Sequence, residues 1–146
     1  MIEQRLTTRL VSYWESIRKD RDVPSIELFN PQAIDNLWLS CLQVGSVRSE
    51  GRNQYVYEHV GSDVSEILGK DLVGKRVHAK MMFTPARKMI VKMDELIVDS
   101  QVKLLDGNFV DENSKMIKYR SCLLPFGHDK KNITHIIVGI SWNIFG

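Results

Sequence analysis

A chain of 146 residues, 43% hydrophobic and 26% charged, has the composition of one soluble globular domain. Its formal charge of +2 is too small to suggest nucleic acid as a partner, and no apolar run approaches the roughly 18–20 residues that cross a bilayer. At this length folding hides about 70% of the extended chain's surface, enough for a full core or a modest pocket. Residues 1–20 scatter charges among apolar positions and contain no signal-peptide apolar region, so the expected location is cytoplasmic.

Residues 2–21 read as an amphipathic helix, because Ile2, Leu6, Leu10, Trp14 and Ile17 recur at spacings of three and four. Such a face either packs on its own domain or meets a second copy. Leu6, Leu10, Trp14 and Ile17 are the residues expected at a homodimer interface. Pro24 breaks the helix. Asn30-Pro31 is the next start signal, a capping side chain followed by proline at the first helical position, with Ile34 and Leu37 facing inward.

Residues 39–47 form a mostly apolar first strand and residues 53–60 return as the second, around a turn at residues 50–53. Simple alternation puts Tyr55, Tyr57 and His59 on one face and Val56, Glu58 and Val60 on the other. The pattern is too irregular to say which face is inner. Gly61 breaks the strand, Ser62 offers a capping oxygen, and Val64, Ile67 and Leu68 share a helical face that ends at Gly69. A turn at residues 70–74 and a buried connector at residues 75–83 lead to Thr84-Pro85, a second cap-plus-proline start. The following helix carries the stripe Ala86, Met89, Ile90, Met93, Leu96 and Ile97. Methionines at this spacing either fill a core or line an adaptable pocket.

The last third reads as three strands. Residues 101–110 are interrupted by Asp106-Gly107, a hairpin turn or, preferably, a bulge. Residues 115–126 and 133–144 follow, separated by a polar turn at residues 127–132. Ile136, Val138, Ile140, Trp142 and Ile144 give the clearest alternation in the chain. Strands paired at both ends with helices between them indicate an α+β fold with an antiparallel sheet and helices on one face. Cys41 and Cys122 lie in apolar strand runs and read as buried free thiols. No Cys-x-x-Cys or His-x3-His spacing marks a metal site.

The element order resembles the PAS fold, and the motifs resemble a family of small bacterial single-PAS-domain proteins. They are Tyr13-Trp14, Arg21 with Pro24-Ser25, Pro31 with Ala33-Ile34, Tyr57 with Gly61, Gly69 with Leu72 and Gly74, and Leu124-Pro125. The resemblance implies a PAS-like five-stranded antiparallel sheet over residues 38–146, preceded by the helix of residues 1–21, as one domain. It makes Tyr57, Gly61, Gly69 and Gly74 scaffold positions. It brings no cofactor with it: the Asn-Cys-Arg-Phe-Leu-Gln segment of flavin-binding light sensors is absent. The helix of residues 85–100 also lacks the histidine of haem-binding members, His78 lying just upstream.

The function implied is a cytoplasmic sensory or regulatory module, not an enzyme. It would bind a small molecule between the sheet and the helix after Pro85 and signal to a protein partner or a second copy, with no membrane or nucleic-acid partner. The candidate ligand-binding residues are Tyr57, His59, Met89, Met93, Val138 and Trp142. The alternatives are a ligand-free protein-interaction adaptor with a filled core, and a small enzyme on a cone-like α+β fold that would use groups such as His59 and Asp63. His128 falls in a polar turn and His135 opposite the apolar face of the last strand, where exposure is expected.

Overall fold

The computed structural model describes residues 4–78 and 85–145. The readings that fell on Ile2, Met81, Met82, Phe83 and Thr84 lie outside the described residues. Helix α1 (Gln4–Arg18) is followed by a short 3₁₀ turn (Ile26–Leu28) and a kinked 3₁₀ segment (Pro31–Ser40). Strands β1 (Cys41–Ser49) and β2 (Arg52–Val60), helices α2 (Ser62–Leu68) and α3 (Ala86–Asp99), and strands β3 (Lys103–Val110), β4 (Met116–Asp129) and β5 (Asn132–Phe145) complete the order. The strands form one antiparallel sheet in the order β2-β1-β5-β4-β3. The five-stranded α+β architecture expected from the sequence is the one observed.

Both faces of this sheet are covered. On the inner face, Leu42, Val44, Leu123, Ile136, Val138 and Ile140 pack with Val64, Ile67 and Leu68 of α2 and with Met89, Met93 and Leu96 of α3. On the outer face, Cys122, Leu124, Phe126 and Ile137 pack with Leu6, Leu10 and Trp14 of α1 and Ile34 of the 3₁₀ segment. This explains the unbroken apolar run in β4, where residues 121–127 are all buried. A strand hidden on two faces has no polar side to show.

Helix α1 is seated at two points. Leu10 lies directly over Gly139 of β5, so closely that an added methyl there would collide with its side chain. Gly139 is flanked by Cys41 on β1 and Cys122 on β4, its register partners on either side. The indole N–H of Trp14 donates to the Pro125 carbonyl at 2.8 Å. Strand β3 reaches only to Lys103, opposite Leu123, so Pro125 sits past its end, where proline removes no ladder bond.

Several sequence readings need correction. Ser62 does not cap α2; Gly61 is the N-cap, without a side-chain bond, and Ser62 is the first helical residue. Pro85 is likewise the N-cap of α3 and not its first helical residue. The pairing of β3 with β4 runs unbroken through Asp106 and Gly107, so there is neither bulge nor turn, and Tyr119 lies over Gly107. The first strand begins at Cys41 because the 3₁₀ segment runs on to Ser40. Asn30 does cap that segment, its side chain accepting from the Gln32 N–H.

Replacing Gly139 by alanine is expected to destabilise the fold by about 1–3 kcal/mol, the usual scale of overpacking. Urea denaturation of Gly139→Ala, Leu10→Ala and the double variant checks the cause. The double variant should lose less than the sum of the two single losses; simple addition would mean that the two residues do not oppose one another.

Candidate functional site

The sheet and α3 bring together five of the six candidate ligand residues. Tyr57, Met89, Met93 and Val138 are buried in the inner cluster, and Trp142 packs against its edge. The backbone places them simply: Tyr57 and Val138 alternate inward on β2 and β5, while Met89 and Met93 lie one helical turn apart on α3. The Trp142 indole N–H donates to the Asp63 carbonyl at 3.3 Å, tying β5 to the first turn of α2. Tyr55 donates its hydroxyl to the Asp94 carboxylate at 2.5 Å, tying β2 to α3. Sequence periodicity gave no sign of this last bond, because Asp94 reads as a water-facing position.

Two hydroxyls in the cluster stand out chemically. The Tyr57 and Tyr119 oxygens are buried and have no hydrogen-bond partner among the described residues. Burial pushes the Tyr57 phenol up to about 12; burial, followed by the nearby Asp106 charge, pushes Tyr119 to about 12 as well. Both are therefore neutral donors at physiological pH. Tyr55 is raised by burial first and then by Asp94.

His59 is not part of this site. Between β1 and β2 the register shifts at Gln43/Val44, so that Tyr57 pairs with Val44 and His59 with Gln43, leaving Glu58 as an extra residue. Such a β-bulge breaks the alternation. Glu58 and His59 both leave the inner face, and Val60 packs against the inner cluster in place of His59. The His59 ring stacks on Trp38, with centroids 3.9 Å apart and planes within 5°, and its Nε2 lies 3.2 Å from the Trp38 carbonyl. Glu58 accepts from Gln43 at 2.8 Å and lies 3.3 Å from His135 Nε2 on β5. The glycine at position 45 lets it pass, since a β-carbon there would sit 2.6 Å from the Glu58 carboxylate. His135 is accordingly half-buried and engaged, not exposed as its strand phase suggested.

The residues expected at a dimer interface are placed by the same packing. Leu6, Leu10 and Trp14 are buried against the chain's own sheet, and Ile17 is half-buried at its margin. As they stand, the first three present no surface to a second copy. The thiols of Cys41 and Cys122 are free and buried. They sit on either side of Gly139, two strand spacings or about 9–10 Å apart, beyond the roughly 4.4–6.8 Å between Cα atoms that a disulfide bridges. Burial raises both, Cys122 to about 12, so neither is a nucleophile at neutral pH. His59 and Asp63, the pair an enzyme would have used, are engaged separately, His59 with Trp38 and Asp63 with the Ser40 hydroxyl at 3.1 Å.

The family model described as PAS domain matches residues 2–140. Among solved structures the chain is similar to a fungal LOV-domain photoreceptor, at 9% identity over 92% of this chain and 90% of that one, with a TM-score of 0.48. It is also similar to the PAS domain of an HTR-like protein from Haloarcula marismortui, at 10% identity over 97% and 96% of the two chains, with a TM-score of 0.41. No curated protein matches it.

The geometry at His59 makes a pH prediction. Burial lowers its pKa, only partly opposed by the Trp38 carbonyl. As pH falls through the ordinary histidine range the unfolded chain takes up this proton first, so the folded state loses stability until pH drops below the folded pKa. Denaturation midpoints of wild type and His59→Asn, measured between pH 7.5 and about pH 5, should show a shallower decline in the variant. Equal slopes would contradict the assignment.

Proposed function

The chain belongs to the PAS domain family, and from that premise we propose that it is a sensory module whose signal is a small, mostly apolar molecule held beneath α3. The observation that carries this reading is the Tyr57 hydroxyl, a buried donor without a partner among the described residues. Leaving such a group unsatisfied costs about 1–3 kcal/mol. A ligand that presents one acceptor to Tyr57 and apolar surface to Met89, Met93 and Val138 would recover that cost. The two methionines suit this task, because an unbranched thioether repacks around varied shapes.

A ligand acts as a signal only if it binds two states of the protein with different affinity. The states proposed here are two packings of the sheet under α1. The inner-face residues Val138 and Leu123 alternate along the same strands with Gly139 and Cys122 beneath α1. A change in strand position on one face is therefore delivered to Leu10 on the other. The receiver would be a signalling protein, or a second copy, meeting the outer side of α1, in the cytoplasm.

The adaptor reading has its own support. Met89, Met93, Leu96 and Val138 are fully buried, as they would be in a core that needs no ligand. Two measurements separate the readings. Native mass spectrometry of the protein purified from its own cells should show a retained small molecule for the sensor. The Tyr57→Phe variant should then keep or gain stability when free of ligand, since it loses no bond, yet show less of the ligand-induced stabilisation of wild type. That stabilisation is about 2.7 kcal/mol at a hundredfold excess over Kd. An apo mass, together with equal thermal shifts for both proteins against every metabolite tried, would favour the adaptor.

A further inference from the structure

We infer that the free edge of β3 is a pairing edge for a second copy of this chain, joined strand to strand about a two-fold axis at Gly107. The sheet ends in β2 on one side and β3 on the other. The β2 edge is covered. After residue 74 the chain returns along it, Val77 N–H donating to the Tyr55 carbonyl at 2.8 Å and Tyr57 N–H to the Lys75 carbonyl at 2.9 Å. Among the described residues nothing covers β3 in this way. It pairs with β4 alone and carries neither a bulge nor a proline, two of the devices that blunt an edge.

The bonding phase of β3 is set at its end. Asp111, next in register after the pair of Val110 and Met116, donates its N–H to the Lys115 carbonyl at 2.9 Å. The Ser121 hydroxyl reaches the Leu105 carbonyl at 3.1 Å. Bonded and non-bonded pairs alternate along an antiparallel ladder, so the odd-numbered residues of β3 turn their backbone groups to β4. The N–H and C=O groups of Leu104, Asp106, Asn108 and Val110 therefore point to the free edge. Within the strand, an antiparallel copy satisfies all of them only when Leu104 lies opposite the second copy's Val110 and Asp106 opposite the second copy's Asn108. That register centres the axis on Gly107. The side chains select the same register. Leu104 and Val110 are 65% and 46% exposed, and each covers the other across the seam. Asp106 meets an amide that can donate to it. With the axis on Asp106 instead, two carboxylates would face one another, which destabilises paired strands. On the inner face Leu105 meets the second copy's Phe109. At each end Lys103, already held by Asp99, faces the second copy's Asp111, opposite in charge.

Such an axis sets both outer faces, each with its α1, on the same side of one continuous sheet. The inference does not depend on the sensor reading. The test is sedimentation velocity and amide hydrogen exchange on the full chain over a concentration series. Wild type should associate to a dimer, and the amides of Leu104, Asp106, Asn108 and Val110 should exchange more slowly as it does. Leu104→Lys and Val110→Glu, both at exposed positions, should each weaken the association at least about tenfold while keeping the circular dichroism of wild type. Mixing the two variants should restore the dimer, because only the mixed pair sets the new ammonium against the new carboxylate. A wild type still monomeric at about 1 mM would overturn the assignment and leave the edge to another protein's strand. A dimer whose edge amides stay unprotected, or two variants that fail to recover on mixing, would overturn it as well.

Discussion

Everything in this fold depends on the fit of Leu10 over Gly139. A five-stranded sheet with apolar side chains on both faces needs cover on both. Here α2 and α3 supply one side and α1 the other. Strands β1, β5 and β4 meet in a row, Cys41, Gly139, Cys122, whose small side chains make the floor on which Leu10 rests. The Trp14 bond to Pro125 then sets the helix's angle. Without α1, the outer residues Leu124, Phe126 and Ile137 would face water, at a cost of about 1.5–3 kcal/mol for each large side chain. The N-terminal helix is thus part of the domain's core and not an appendage.

A second constraint shapes the other end of the sheet. The bulge at Glu58 re-aims two residues at once, and the Glu58 side chain then crosses Gly45 to reach His135 on β5. One irregular residue in this way links β2, β1 and β5 on the outer face and hands His59 to Trp38. The inner face keeps Tyr55 and Tyr57 without interruption, so a polar outer surface and an apolar inner one coexist on a single edge strand.

Much of this was legible in the sequence, for reasons that differ from element to element. The α1 stripe of Leu6, Leu10 and Trp14 and the alternation of Ile136, Val138 and Ile140 are local periodicities, and both survive into the structure. The Asn30-Pro31 start is local capping chemistry and also survives. The position of His59 was not legible, because a bulge is chosen by its partner strands: nothing in residues 52–60 reveals that Gln43 and His135 await Glu58. The destination of Leu6, Leu10 and Trp14 was open for a similar reason. An amphipathic stripe states that a face will be buried but not against what; the answer lay in Gly139 and Cys122, more than a hundred residues along the chain. Met89, Met93 and Val138 could be gathered in advance because each lies on a helix or strand whose inward phase is regular, whereas the face of Tyr57 stayed open until β2 was paired with β1.

The proposed sensor reading has a consequence for α1. Because α1 cannot leave without exposing the outer face, a signal from beneath α3 would arrive as a shift in how α1 packs, not as its release. Native-state hydrogen exchange tests this directly. The α1 amides around Leu10 and Trp14 should open with the same free energy as those of β5 around Val138 and Ile140, close to that of global unfolding. Exchange of α1 at a much lower free energy, with β5 still protected, would show that the helix detaches on its own and would contradict the account.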